Sequence, residues 1–224
     1  MATDRDTPGV RDEEVARIRV LDYGMGNLRS VAKALERVGA NVVVTEDAAR
    51  AREADGVVLP GVGAFPRAMA RVRRLGFDAL IADRVEAGRP VLGICLGMQL
   101  LFESSSEQGG TQGLGVFEGE VRELEAPGLK LPHIGWEPVR WQRESMLSAG
   151  IADSTPFYFV HSFAPYGVDA QDVLGTAEHG ERFVCAVERE GVWGFQCHPE
   201  KSSAAGLRVL ANFVRVCAPV GTSA

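Results

Sequence analysis

Apolar positions follow two rhythms along this chain. Up to about residue 100, short apolar runs alternate with longer stretches of helical spacing. Ile18-Arg19-Val20-Leu21-Asp22-Tyr23 reads as a first strand, Gly24-Met25-Gly26-Asn27 as a turn, and Leu28 to Val38 as a helix closed by Gly39. Asn41 to Thr45 and Gly56 to Pro60 predict two further strands. The latter is almost wholly apolar, as when both faces of a strand are covered. A helical region runs on to Arg89 with a break at Gly76, and Val91 to Ile94 forms a fourth strand. Such alternation implies parallel strands joined by right-handed crossovers, so the fold class is a doubly wound α/β sheet.

The rhythm changes after a helix at Leu96 to Phe102. Glu103 to Gly115 is polar and glycine-rich and reads as a loop. Strand patterns then recur at Val116–Leu124, Glu137–Trp141, Phe157–His161, Val173–Ala177, Phe183–Glu188 and Val192–Gln196, separated by Pro and Gly turns. These predict an antiparallel extension of the same sheet. Ser203 to Val216 reads as a closing amphipathic helix. The expected organisation is a single domain over 18–217, with disordered tails at 1–17 and 218–224.

Composition narrows the function classes. With 224 residues and a net charge of −6, the chain has neither a basic stripe nor an acidic tail. That argues against nucleic acid and membrane surfaces as partners. No apolar run approaches the ~18 residues of a membrane span, and the polar N-terminus lacks the apolar centre of a secretory signal. The four cysteines, Cys95, Cys185, Cys197 and Cys217, are scattered. Neither a disulfide framework nor a cysteine zinc site is expected, and a reducing cytoplasm fits.

Ligands of open α/β sheets collect at the carboxyl ends of the strands, and chemistry-bearing residues cluster at such ends here. Gly93-Ile94-Cys95-Leu96-Gly97 has the form of a nucleophile elbow with Cys in place of Ser. The turn would place the thiol at a helix start, where thiolate is favoured. The competing reading is a packed structural cysteine between glycines. Pro60-Gly61-Val62-Gly63 leaves backbone N–H groups accessible, and Trp193 to Glu200 ends in His198-Pro199-Glu200. Residues two apart in an extended segment share a side, so Glu200 can orient His198, and His198 can deprotonate a thiol. Gly24-Met25-Gly26 lacks the third glycine of a dinucleotide fingerprint, since Arg29 stands in its place, and reads as a tight connection. His133, His161 and His179 have no acid two residues away and read as structural, although His161 could border a pocket. Cys185, Cys197 and Cys217 read as core, with Cys197 facing away from His198.

Together these residues resemble the class I (triad) glutamine amidotransferases. Within that class they are most similar to the glutaminase subunits of imidazole glycerol phosphate synthases. The resemblance rests on Asp22-Tyr23-Gly24-Met25-Gly26-Asn27, Pro60–Phe65, Gly93–Gln99, His133-Ile134-Gly135-Trp136, Tyr158–Ser162 and His198–Ser203. It implies a flavodoxin-like sheet with no cofactor and no metal. The implied activity is hydrolysis of glutamine through a cysteinyl thioester, with Cys95, His198 and Glu200 as the triad. Backbone N–H groups of Leu96 and of the Val62–Gly63 turn would stabilise the oxyanion, after a flip of the segment holding Val62. Gly63, Gln99, Glu107, Ser162 and Phe163 would hold the amino-acid end of glutamine. The implied partner is a (β/α)8-barrel cyclase subunit that takes the ammonia, met by Asn27, Trp136, Tyr158 and Lys201. Glu137 departs from the asparagine expected after Trp136, and Cys197 from the aromatic common before His198. The rivals are the glutaminase subunits of pyridoxal phosphate or anthranilate synthases, a cysteine peptidase of related fold, and a catalytically silent binding subunit.

Overall fold

A computed structural model describes residues 15–218. In chain order the first half is β1 (Arg17–Leu21), α1 (Leu28–Arg37), β2 (Asn41–Thr45), α2 (Ala48–Arg52), β3 (Gly56–Gly61), α3 (Phe65–Arg74), α4 (Phe77–Glu86), β4 (Val91–Cys95) and α5 (Leu96–Leu100). The second half is β5 (Phe102–Ser105), β6 (Thr111–Gln112), β7 (Phe117–Glu123), β8 (His133–Trp141), β9 (Thr155–His161), β10 (Phe163–Tyr166), β11 (Val173–His179), β12 (Glu181–Arg189), β13 (Val192–Phe195) and α6 (Ser203–Cys217). Local chemistry explains the boundaries. Asp47 caps α2 by accepting from the N–H groups of Ala49 and Arg50, Pro66 sits in the first turn of α3, and Gly76 at φ 69° separates α3 from α4.

Nine strands form the main sheet in the order β2-β1-β3-β4-β13-β12-β11-β8-β9. Pairing is parallel from β2 through β13 and antiparallel from there to β9. The parallel half has the 2-1-3-4-5 order of flavodoxin-like sheets, with β13 in the fifth place. One apolar cluster packs this sheet against α1 and α6, through Val31, Leu35, Val209, Leu210 and Phe213. The other packs it against α3 and α4, through Phe65, Met69, Val72, Phe77, Leu80 and Ile81. Helices therefore cover both faces.

Several expectations change. Val192–Phe195 pairs parallel with β4, not antiparallel as its place in the chain suggested. Phe117–Glu123 does not extend the main sheet; it joins a second sheet in the order β10-β7-β5-β6. The segment expected to be a loop at 103–115 supplies β5, β6 and a 3₁₀ turn at Glu107–Gly109. Its polar composition hid these strands because only Phe102 and Ser105 of β5 are buried. β8 starts at His133 rather than Glu137, and α2 and β10 were not anticipated. The expected N-terminal tail is too long by the buried Ala16 and by Arg17, which opens β1. At the other end Ala218 caps α6. The rest of both expected tails lies outside the described residues.

The tightest packing surrounds α5. A Cβ on Gly97 would lie 1.7 Å from the Leu59 carbonyl oxygen, and one on Gly93 would lie 2.8 Å from Gly97 O and Met98 N. Both glycines make room for α5 to press onto β3 and β4. Backbone is the obstacle at each, so neither site can relax by turning a side chain. Gly97→Ala should lower stability by about 3 kcal/mol or more, read as a reduced urea midpoint at unchanged m-value.

Candidate active site

Register brings the candidate residues to one level. Gly61 lies opposite Cys95 across the β3–β4 pair, and Phe195 lies opposite Ile94 across β4–β13. Leaving these strands side by side, the chain presents Val62-Gly63, then Cys95, then Gln196-Cys197-His198. Cys95 has φ 54° and ψ −113° and forms the N-cap of α5. A non-glycine residue held there stores about 1–3 kcal/mol of strain, which the surrounding packing must offset. The elbow read from the glycine pattern is thus present, but the unusual φ belongs to Cys95 itself, while Gly93 and Gly97 supply space.

His198 and Glu200 occupy the turn after β13. His198 Nδ1 is 2.8 Å from Glu200 Oε1, and the two side chains are only 2% and 1% exposed. The turn is pinned to β9. His198 N–H donates to the Tyr158 carbonyl at 2.9 Å, and Ser202 Oγ donates to the His198 carbonyl at 2.7 Å while accepting from Tyr158 N–H at 3.0 Å. His198 Nε2 is buried without a hydrogen-bond partner. Burial, the largest single influence, opposes a charge on this ring, but Cys95 and Glu200 together outweigh it and raise the pKa from 6.5 to about 9. Both neighbours thus favour the charged ring, and its Nε2 has no hydrogen-bond partner among the described residues.

Beside Cys95 lies a pocket of about 280 Å³ lined by Val62, Gly63, Cys95, Leu96, Gln99, Glu107, Val160, His161, Ser162 and Phe163. Every residue expected for the oxyanion hole and for glutamine is among them. Gln99 Nε2 donates to the Phe163 carbonyl at 2.9 Å and to Gln196 Oε1 at 3.0 Å. Both its N–H groups are spent, so Gln99 offers a new partner only its oxygen. Glu107 Oε2 accepts the Phe65 N–H at the start of α3 at 2.8 Å, which fixes the carboxylate at the pocket wall. Gly63 has φ +103°, and Val62 beside it is 41% exposed.

Sequence reasoning missed Gln196. Its side chain is fully buried, and Nε2 donates to Cys95 Sγ at 3.6 Å. The signal was available: the period-two argument that pairs His198 with Glu200 also places Gln196 on their side. Cys197 faces the other way into the core, where burial raises its thiol pKa well above the usual value.

The remaining histidines adjoin the site, and His161 borders the pocket. His161 Nδ1 donates to the Phe163 carbonyl at 2.9 Å, so its Nε2 is an acceptor, and His133 Nδ1 donates to it at 3.2 Å. Burial lowers His161 to about 3 and His133 to about 4. His179 lies against the Lys130 carbonyl. Ligand atoms of His133, Glu137 and His179 fall within 4.8 Å of one another. The rings of His133 and His179 are stacked, with centroids 4.0 Å apart and planes 15° apart, so their lone pairs run side by side and do not converge on one ion.

The expected docking residues are partly gathered. Trp136, 48% exposed, meets the Tyr158 ring edge-on at 5.9 Å, and Lys201 Nζ sits 5.8 Å from the centre of that ring. Ile134 pairs with Val160 and Trp136 with Tyr158 across β8–β9, so an exposed apolar stripe runs from Trp136 to the pocket wall. Asn27 is the N-cap of α1. Glu137, in place of the expected asparagine, lies 3.6 Å from His133 Nε2.

These shifts give stability two opposite pH limbs. His133 and His161 have depressed pKa values, so their contribution is full above pH 6.5 and is lost as pH falls through about 4 and then about 3. His198 is raised, so its contribution is full below pH 6.5 and is lost as pH rises through about 9. Urea midpoints should decline on both sides of neutrality. The acid decline should be shallower in His133→Gln, and the alkaline decline shallower in His198→Asn.

The Glutamine amidotransferase class-I family profile matches residues 19–217. The chain is 50% identical over 196 residues to the imidazole glycerol phosphate synthase subunit HisH of Moorella thermoacetica, covering 88% of this chain and 93% of that one. It is 50% identical over 200 residues to the protein of the same name from Aquifex aeolicus, covering 89% and 96%. Among solved structures, a glutamine amidotransferase superposes with a TM-score of 0.70 at 20% identity, covering 89% of this chain and 98% of that one. PurLQS from Thermotoga maritima superposes at 0.71 and 20%, covering 90% and 98%. The chain belongs to the class I glutamine amidotransferases, within the group formed by the HisH subunits of imidazole glycerol phosphate synthase.

Proposed function

We infer that the protein hydrolyses glutamine to glutamate and ammonia and delivers the ammonia to a cyclase subunit in histidine biosynthesis. The observation that carries the chemistry is the buried His198, held charged by Glu200 and Cys95 beside a pocket of about 280 Å³. In this reading the Cys95 thiolate attacks the side-chain amide carbon of glutamine, and the carbonyl electron pair moves onto oxygen. Backbone N–H groups of Leu96 and the Val62–Gly63 turn receive the oxyanion. The C–N bond then breaks as His198 Nε2 gives its proton to the departing nitrogen, which leaves as ammonia and a glutamyl thioester. The neutral His198 takes a proton from water, hydroxide attacks the thioester, and glutamate departs as the thiolate re-forms. Glu200 holds His198 through Nδ1 in both steps. On the pocket wall, the Gln99 oxygen and the Glu107 carboxylate suit an α-ammonium.

Ammonia released into water at neutral pH becomes mostly ammonium, which is no nucleophile, so a covered exit is needed. The stripe of Trp136, Ile134, Tyr158 and Val160 supports a partner seated directly over the pocket. We propose the (β/α)8-barrel cyclase as that partner, docking on Trp136, Tyr158 and Lys201 with Asn27 at the margin. No described helix is long and apolar enough to cross a membrane. All four cysteines are free and buried, which fits a cytoplasmic setting.

Glutamine hydrolysis should be slow for the protein alone and faster with the purified cyclase and its nucleotide ligand. Cys95→Ala should lower glutamine-dependent turnover by at least roughly 10³-fold while the complex still uses added ammonium salts. Parental hydrolysis by Cys95→Ala would overturn the reading.

A further inference from the structure

We propose that Gln196 is a further catalytic residue, whose side-chain amide donates an N–H to Cys95 Sγ and holds the sulfur as thiolate. The proposal rests on the reading of Cys95 as the nucleophile. It starts from the orientation of two amides. The Phe163 carbonyl can only accept, so the Gln99 atom 2.9 Å from it is nitrogen. The second hydrogen of that nitrogen points to Gln196 at 3.0 Å and requires an acceptor there, which makes the nearer Gln196 atom oxygen. The remaining Gln196 atom, 3.6 Å from Sγ, is therefore the NH₂ group. Inverting Gln196 would set its N–H against that of Gln99, and inverting Gln99 would set carbonyl against carbonyl at both Phe163 and Gln196. A chain of donors thus runs from Gln99 to Gln196 to Cys95, anchored on a backbone carbonyl.

The other polar neighbour of the sulfur makes this donor matter. Val160 O lies 3.9 Å from Sγ, within reach of a thiol S–H but repulsive to a thiolate. Gln196 instead offers the sulfur an N–H, which bonds an ionised sulfur more strongly than a neutral one. Gln196 is fully buried, so no water is at hand to replace its N–H. His198 supplies the opposite charge and, later, the proton; Gln196 supplies a fixed dipole that never leaves. The sulfur stays hydrogen-bonded after His198 has given up its proton, which stabilises the thiolate as leaving group when the thioester is hydrolysed. Because Gln99 lines the pocket as well as orienting Gln196, the nucleophile's donor is built into the wall that meets substrate.

The test is the pH profile of Cys95 alkylation by iodoacetamide on the full chain, with the modified residue located by peptide mass spectrometry. Gln196→Met removes the donor at similar volume and should raise the midpoint by about one unit. Gln196→Glu keeps an acceptor for Gln99 but turns an oxygen toward sulfur, and should raise the midpoint further. In the complex with the cyclase, glutamine-dependent kcat should fall roughly 10- to 100-fold in Gln196→Met with KM changed far less. A role in packing alone predicts a parental midpoint in Gln196→Met, and that result overturns the proposal. Should neither variant fold, the Gln196 side-chain ¹⁵N–¹H resonances of the parent protein decide: they should titrate with Cys95 and lose that response in Cys95→Ala. Resonances that ignore the titration also overturn it. Retained hydrolysis by Cys95→Ala would instead sink the nucleophile assignment, so the two failures are distinguishable.

Discussion

Parallel pairing of β4 between β3 and β13 is the constraint on which the rest depends. The backbone ladder sets Gly61, Cys95 and Gln196 at nearly equal height, and three loops then leave the sheet toward the same side. A one-residue slip in either pair would turn the alternate side chains to the opposite face. Gln196 and His198 would then face the core, and Cys197 would face the site. The chemistry therefore depends on hydrogen bonds that involve none of the reactive side chains.

The same segment concentrates backbone strain and close packing. Cys95 is held at positive φ, and α5 begins at the next residue. Such a turn persists only if the helix behind it cannot recoil. Gly93 and Gly97 let that helix sit against β3 and β4 at distances that no side chain would permit. Met98 completes the wedge, because a Cβ on Gly194 of β13 would lie 2.6 Å from Met98 Cγ. Glycines on two parallel strands and one helix thus act as a single device that fixes the thiol.

Electrostatics at the site shows how little burial decides by itself. His161 and His198 are both buried histidines, yet one is lowered to about 3 and the other raised to about 9. Burial pushes both downward. His161 finds a carbonyl and another imidazole, which satisfy a neutral ring, whereas His198 finds a carboxylate and the Cys95 sulfur, which favour a charged one. Neutral His161 and His133 form a relay that ends on the Phe163 carbonyl, whereas His198 is paired with Glu200. Glu137, the residue unexpected at its position, lies beside His133 at the exposed end of this brace.

Much of this was legible in the sequence, for a local reason. Helical and strand periods, the glycine-bracketed Cys95 and the His198-Pro199-Glu200 triplet are short-range patterns, and short-range geometry gives them their meaning. The Cys95 elbow, the Glu200–His198 bond and the core placement of Cys197 followed from spacing of two to four residues. What sequence left undetermined is non-local. An apolar run such as Val192–Phe195 has the same period whether it pairs parallel or antiparallel, and only its neighbours in the sheet decide. Polar β5 and β6 carry almost no hydrophobic signal, since backbone bonds to β7 and to each other define them. Gln196 reads as an ordinary strand-end residue until Gln99 and Cys95, about a hundred positions earlier, close around its amide. Residue types and their local spacing were enough to propose a nucleophile and its base. Only the tertiary structure could say which atoms surround the sulfur, because those atoms come from separate strands whose order no local period encodes.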